Sequence, residues 1–364
     1  MTLTEGQVIE ILKKINHPGA GKDIVSLSMI KDIIIGENKV SLTLYTGNRK
    51  DPFSKSLKRA CEQALSSATD NRFLITVNIE TDRPEPLAPR PVLPGVRNIV
   101  AIASGKGGVG KSTIAVNLAI ALARKGFKVG LCDADIYGPS VPKMMASEEV
   151  RPLMREDNGR HIIIPVEKYG IKFLSIGLFV PAENALVWRG PMATGALKQL
   201  ITDAEWGDLD YLLFDLPPGT SDIHLTLVQE VAVTGVVIVS TPQDVALADV
   251  IKGVSMFTTS DIGVPVLGLV ENMAWFTPAE LPDNRYYIFG RDGCKNLAKK
   301  MNLPLLAEIP IVQSIREGGD SGIPVAVDEE PVSGPFSLLA DKLADAIDER
   351  NRTKDPTKKV VMKK

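Results

Sequence analysis

Two lysines and a serine set among glycines are the residues of this chain best placed to do chemistry. Gly105-Lys106-Gly107-Gly108-Val109-Gly110-Lys111-Ser112 has the spacing of a phosphate loop, with Gly105, Gly110, Lys111 and Ser112 at its four fixed positions. Glycines let the backbone N–H groups turn inward onto phosphate oxygens, and a following helix adds positive charge from its N-terminus. Lys111 is then expected to reach the β- and γ-phosphates of ATP, Ser112 to bind Mg²⁺, and Thr113 to donate to the α-phosphate.

Three carboxylates can complete such a site. Asp133 ends an apolar run, where it can face Mg²⁺ or its waters, and Asp135 follows two residues later. Either one alone reads better as an ordinary strand-end or turn aspartate. Asp215 ends Tyr211-Leu212-Leu213-Phe214, a Walker B-like strand, and is expected to hold Mg²⁺ through water. Pro217, Pro218 and Gly219 then make a stiff turn able to sense the γ-phosphate. Asn272 ends another apolar run and offers an amide that can pair with adenine. Pro310 follows a further run and either closes the base pocket or simply ends its strand.

These residues need a frame that brings strand ends together. Apolar runs at 99–103, 128–132, 211–214, 235–240, 264–270 and 305–309 alternate with helical stretches such as Thr113–Ala123, which Gly126 should stop. That rhythm predicts an α/β fold, a doubly wound parallel sheet with ligands beyond the strand C-termini. Shorter runs at 162–164 and 171–176 are candidates for an extra edge. The expected ATPase domain spans 96–349, and the basic tail 350–364 is expected to be solvated and disordered. Residues 1–82 have the order α-β-β-α-β of a small α+β domain, with a strand-like run from Ile24 to Ile35, a hairpin turn at 36–38 and a helix opened by Pro52. The proline-rich stretch 83–95 reads as a semi-rigid linker.

Composition narrows the class. The chain has 364 residues, 44% hydrophobic and 24% charged, which is ordinary for a soluble globular protein large enough for more than one core. A net charge of -2 gives no reason to expect nucleic acid or an anionic membrane as partner. Neither a membrane-length apolar run nor a signal-peptide pattern is visible, so a cytoplasmic location is expected. Cys61, Cys132 and Cys294 are too few and too scattered for a disulfide framework. His17, His161 and His224 have no metal-ligand spacing.

The second lysine makes the loop distinctive. Lys106 gives a KGGxGK pattern that resembles the deviant Walker A class, which includes MinD, ParA and nitrogenase iron protein. That resemblance implies a homodimer in which Lys106 reaches the partner's nucleotide, and ATP hydrolysis in which Lys106, Lys111 and Asp135 are catalytic, Asp135 orienting or deprotonating the attacking water. Asp133-Ala134-Asp135-Ile136-Tyr137-Gly138-Pro139-Ser140, Trp188-Arg189-Gly190-Pro191-Met192, Asp215-Leu216-Pro217-Pro218-Gly219-Thr220, Thr241-Pro242-Gln243-Asp244-Val245-Ala246-Leu247-Ala248-Asp249 and Glu271-Asn272-Met273 together resemble the Mrp/ApbC family of ATPases. The first 82 residues are similar to iron-sulfur-assembly adaptor domains. The family resemblance implies a carrier or scaffold acting in iron-sulfur cluster assembly or transfer to apoprotein clients.

One departure stands out. The family usually carries a Cys-x-x-Cys just after Asn-Met, whereas Ala274 to Gly290 contains no cysteine, leaving Cys294 as the one weak candidate ligand near that place. A dimer with one such thiol per subunit offers two of the four thiolates an iron-sulfur cluster normally takes. The expectation is a protein that holds no stable interfacial cluster and works as an ATP-dependent partner, or carries a cluster only with outside help. Two other functions compete: a MinD/ParA-like organiser without a cluster, and a metabolic kinase. Against the organiser, Leu338, Leu339, Leu343, Ala346 and Ile347 read as a core-packing face rather than a membrane-binding helix. Against the kinase, no acceptor-substrate motif is visible.

Overall fold

The structure, a computed structural model, describes the chain except for residues 1–2, 37, 48–50, 52, 81–91, 137, 158, 180–189, 329–331 and 361–364. Most of the expected linker, and Tyr137, Trp188 and Arg189 of the family-like stretches, lie outside the described residues. The chain divides into two compact units, Met1–Pro89 and Arg90–Lys364.

The first unit runs α1 (Glu5–Leu12), β1 (Ile30–Ile35), β2 (Lys39–Tyr45), α2 (Ser54–Ala68) and β3 (Leu74–Glu80). Thr4 opens α1 with a capping box, its side chain accepting from Gln7 while Gln7 reaches back to the Thr4 amide. The sheet order is β1-β2-β3, with β1 antiparallel and β3 parallel to β2. Alternation along β2 buries Val40, Leu42 and Leu44 against Val8 and Leu12 of α1 and Leu57, Cys61 and Leu65 of α2. The run expected as strand from Ile24 begins only at Ile30. Asp23 accepts the amides of Val25 and Ser26 at 3.1 and 2.8 Å, and this turn competes successfully with extended backbone. His17 is a loop histidine pinned in place, its Nε2 3.0 Å from Asp51 and its Nδ1 accepting from Gly19.

The second unit is an eight-stranded sheet. Its strands are β4 (Val96–Ala103), β5 (Val129–Asp133), β8 (Val166–Lys168), β9 (Ile171–Ser175), β10 (Leu209–Asp215), β11 (Gly235–Ser240), β12 (Val266–Phe276) and β13 (Leu305–Ile311). They lie in the order β13-β12-β11-β4-β10-β5-β9-β8, all parallel except the edge strand β8. The run at 162–164 is not part of this edge. It falls largely in β7 (Arg160–Ile163), which pairs with β6 (Met154–Asp157) as a separate hairpin. Residues 171–175 form an internal strand, because β8 covers them on the outside.

Helices cover both faces. α3 (Lys111–Arg124) and α10 (Gly334–Thr353) pack on the face that carries Val100 and Ile102 of β4. The opposite face, with Ile99, Ala101 and Ala103, is covered by α5 (Gly190–Thr202), α6 (Asp222–Glu230), α7 (Asp244–Thr258) and α8 (Gly293–Met301). β4 is therefore apolar on both sides, as a central parallel strand must be. Phe336, Leu339 and Leu343 of α10 are fully buried. Truncating a phenylalanine in such a place costs roughly 3–5 kcal/mol. Gly126 ends α3 with φ +91°, the left-handed conformation that glycine adopts without steric cost.

The ends of this unit differ from expectation. Val92 and Leu93, assigned to the linker, pack on the sheet core. α10 runs past 349 to Thr353, and Arg350 is buried with its guanidinium on the Asp355 carbonyl at 2.7 Å. Beyond it, the Val360 amide donates to the Val228 carbonyl at 2.9 Å, so residues 354–360 lie along the domain rather than free in solvent.

Candidate nucleotide site

β4, the loop after it and α3 supply the base of the site. Gly108 and Gly110 take φ of +80° and +81°, which turns the loop back over the start of α3. A side chain at Gly110 would also meet the Asn272 amide nitrogen at 2.2 Å, so both conformation and space require glycine there. The loop encloses a cleft of about 220 Å³ lined by Lys106 to Thr113 with Asp135, Ser140, Met144 and Pro218.

Sheet register brings the acids in. Asp215 pairs with Ile102 on one side and Asp133 on the other, and Asp133 pairs with Ser175. Three adjacent strands thus end in one polar row beside the loop. The Lys111 ammonium sits at the Asp215 end of the row, 2.6 Å from Asp215 Oδ1 and 3.6 Å from Asp135 Oδ2, and 3.3 Å from Ser112 Oγ. Asp215 is fully buried, and its Oδ2 has no hydrogen-bond partner. A buried carboxylate oxygen without a donor costs on the order of 1–3 kcal/mol, and a hydrated cation would satisfy it. Asp133 is also fully buried, its carboxylate held by the amides of Asp135 (3.1 Å) and Val141 (3.4 Å) and by the Ser175 hydroxyl (2.9 Å). Burial, and then the nearby Asp215 charge, raise the Asp133 pKa, with Lys111 opposing. Burial likewise raises Asp135 against the pull of Lys111. Hard oxygen donors beside a lysine suit Mg²⁺ and phosphate.

The remaining expected residues are placed as follows. Lys106 is exposed, and no described residue forms an ion pair with it. Asn272 lies behind the loop, its amide donating to the Val109 carbonyl at 2.8 Å. Pro310 is half-buried near the end of β13, next to Ile309, which pairs with Asn272. The cleft of the phosphate loop is lined by neither of them. The turn after Asp215 is tied to the loop by the Gly219 amide on the Ser104 carbonyl at 2.8 Å.

Two residues have structural roles that the sequence does not signal. Ser175 carries no motif, and only strand register reveals it. His224 is the third residue of α6, where its Nδ1 accepts the Ser221 amide at 3.1 Å in a capping box. A Ser-x-x-His spacing is a weaker signal than Ser-x-x-Glu. Its Nε2 is buried without a partner, and burial lowers its pKa to about 4.

The cysteines are all buried. Cys61 is pushed up to about 12 by burial, and burial also raises Cys132 inside β5. Cys294, near the start of α8, turns its thiol inward onto the Thr241 carbonyl at 3.8 Å, while its amide donates to the buried Glu271 at 2.5 Å. Burial first, and then Glu271, raise the Cys294 thiol as well. It is a thiol packed into the core, which argues against it as a cluster ligand. Among the described residues, no group of three His, Cys, Asp or Glu side chains is arranged to hold a metal ion by itself. The segment expected to hold thiols presents other chemistry. Arg285 stacks 4.3 Å over Trp275, Arg291 lies 4.8 Å over Tyr287, and Leu281, Tyr286 and Ile288 are exposed.

Known proteins share this architecture. A family model for the NUBPL iron-transfer P-loop NTPase matches residues 95–346, and one for an iron-sulfur cluster assembly protein matches residues 5–78. The iron-sulfur cluster carrier protein of Synechocystis is 41% identical, over 93% of this chain and 96% of its own length. The Arabidopsis iron-sulfur protein required for mitochondrial NADH dehydrogenase is 50% identical over 68% of this chain and 76% of its own. A nucleotide-binding protein from Archaeoglobus fulgidus, solved with ADP, superposes with a TM-score of 0.57 at 36% identity, covering 67% of this chain and 93% of that one. The septum site-determining protein MinD of Pyrococcus horikoshii, at 23% identity and a TM-score of 0.52 over 71% of this chain and 99% of that one, shares the fold alone. With the phosphate loop, its acids and these matches in place, the chain belongs to the iron-sulfur carrier family of NUBPL-type P-loop NTPases.

Proposed function

We propose that this protein binds ATP with Mg²⁺, hydrolyses it slowly to ADP and phosphate, and uses the cycle to assist transfer of iron-sulfur clusters to apoproteins as a homodimer closed over the nucleotide. The observation that carries the reading is the Lys111 ammonium held between Asp215 and Asp135 at the mouth of a glycine loop. Phosphate oxygens entering the loop take over Lys111 from these carboxylates. Ser112 would hold Mg²⁺ directly, and Asp133 and Asp215 through water. Bound there, the cation neutralises charge on the β- and γ-phosphates. Asp135, which lines the cleft, orients the attacking water and accepts its proton, and its raised pKa makes it a better base than an exposed aspartate. Lys106 supplies positive charge to the partner subunit's nucleotide.

The cluster is cargo in this scheme. With Cys61, Cys132 and Cys294 all buried, the dimer presents no ready thiolate set. The cluster is received from, or shared with, another molecule during transfer. The organiser reading draws only on the fold: Leu339, Leu343 and Ile347 of α10 are buried in the core, and no helix among the described residues is long and apolar enough to cross a membrane.

The test is anaerobic cluster transfer from a loaded donor protein to an apo-ferredoxin, with and without this chain and ATP. Acceleration that requires both, and that fails with Lys111→Ala, supports the role. ATP turnover with no effect on transfer would remove the cluster from the account.

A further inference from the structure

Ser175 ends β9 in the same register row as Asp133 and Asp215, and its side chain is fully buried. Its Oγ has two neighbours. It accepts the Gly177 amide at 3.1 Å, at the start of the short 3₁₀ turn Ile176–Leu178. It also lies 2.9 Å from Asp133 Oδ2. With the amide occupying one lone pair, the hydroxyl proton is free to point at the carboxylate. The other donors to Asp133 are backbone amides of the loop that follows it, Asp135 and Val141. That loop contributes Asp135 and Ser140 to the cleft lining. Ser175 belongs to a different strand, one fixed by the sheet.

We propose that Ser175 is a positioning residue for the Mg²⁺ site: its hydroxyl, held on a sheet strand, keeps the Asp133 carboxylate in one orientation, as a hydrogen-bond acceptor for metal-bound water. This rests on the nucleotide reading given above. Ser175 touches neither nucleotide nor metal. Its effect is felt in the Mg²⁺ requirement of binding rather than in the fit of the phosphates.

Mg²⁺ titration against a fluorescent ADP analogue tests this in the full chain, using the parent, Ser175→Ala, Asp133→Asn and the double variant. One charge-assisted hydrogen bond sets the expected size: Ser175→Ala raises the half-saturating Mg²⁺ concentration roughly tenfold, with binding in excess chelator unchanged. In the double variant Ser175→Ala adds nothing to Asp133→Asn, since it acts through that carboxylate. Ser175→Cys, a weaker donor of similar shape, falls between parent and Ser175→Ala, which separates the hydrogen bond from a packing defect. An unchanged Mg²⁺ requirement in Ser175→Ala, or an additive double variant, overturns the Ser175 role alone. A parent chain without Mg²⁺-dependent nucleotide binding overturns the nucleotide reading and this role together.

Discussion

Two segments meet at Asn272 and have little else in common. On one side, the Asn272 amide holds the Val109 carbonyl of a phosphate loop in which lysine, serine and carboxylates are all within reach of one another. On the other, Met273 turns to a φ of +57° and the chain enters the stretch where the family resemblance leads one to expect paired thiols. That stretch holds stacked arginines and exposed Leu281, Tyr286 and Ile288 instead. One segment brings together the groups a nucleotide site needs, and the other presents aromatic, cationic and apolar side chains where thiols were expected. The contrast teaches that the fold can build the first set of groups without the second.

The sharpest way to break the comparison is at Lys111. Replacing it by alanine removes a direct phosphate contact and leaves Asp215 buried without its cation, so binding of a fluorescent ATP analogue should weaken by at least a hundredfold. Lys106→Ala should bind within about threefold of the parent and lose phosphate release, as the proposed role across the dimer requires. Equal loss of binding in both variants would end the distinction between the two lysines.

Next in size is Asp135→Ala. It should cut phosphate release by on the order of 10²-fold or more while leaving ATP bound, and light scattering should show a persistent dimer. Turnover at the parent rate would take Asp135 out of the mechanism.

A smaller effect concerns the wall behind the turn that follows Asp215. His224 has a folded pKa lowered to about 4 by burial, below its unfolded value near 6.5. Its contribution is therefore fully present above pH 6.5 and lost as pH falls through 4, at most about 3 kcal/mol over that window. Urea midpoints should fall on acidification in the parent and fall less in His224→Gln, which keeps the capping geometry. A parallel decline in both would mean that His224 does not govern the acid response.

The sequence made the phosphate loop and its acids legible because strand, glycines and helix follow one another without interruption. The sheet class was legible for the same reason. Less could be read where local chemistry overrode the pattern. Asp23 turns a strand-like run, and Met273 adopts a left-handed conformation that lets β12 resume as far as Phe276 with its register shifted. Ser175 is selected by strand register alone, which leaves no spacing, and the Ser221-x-x-His224 cap is a weak signal beside the usual Ser-x-x-Glu. Cys294 was ambiguous for the opposite reason: its position along the chain is near the expected ligands, but α8 turns its thiol into the core.

A nucleotide site without a self-sufficient cluster site is open to a direct test: anaerobic reconstitution with iron and sulfide, followed by desalting and iron counting on the parent and on Cys294→Ser. Iron far below one cluster per dimer is expected in both proteins, with nucleotide binding intact in both. Retention near one cluster per dimer in the parent, lost in Cys294→Ser, would contradict it.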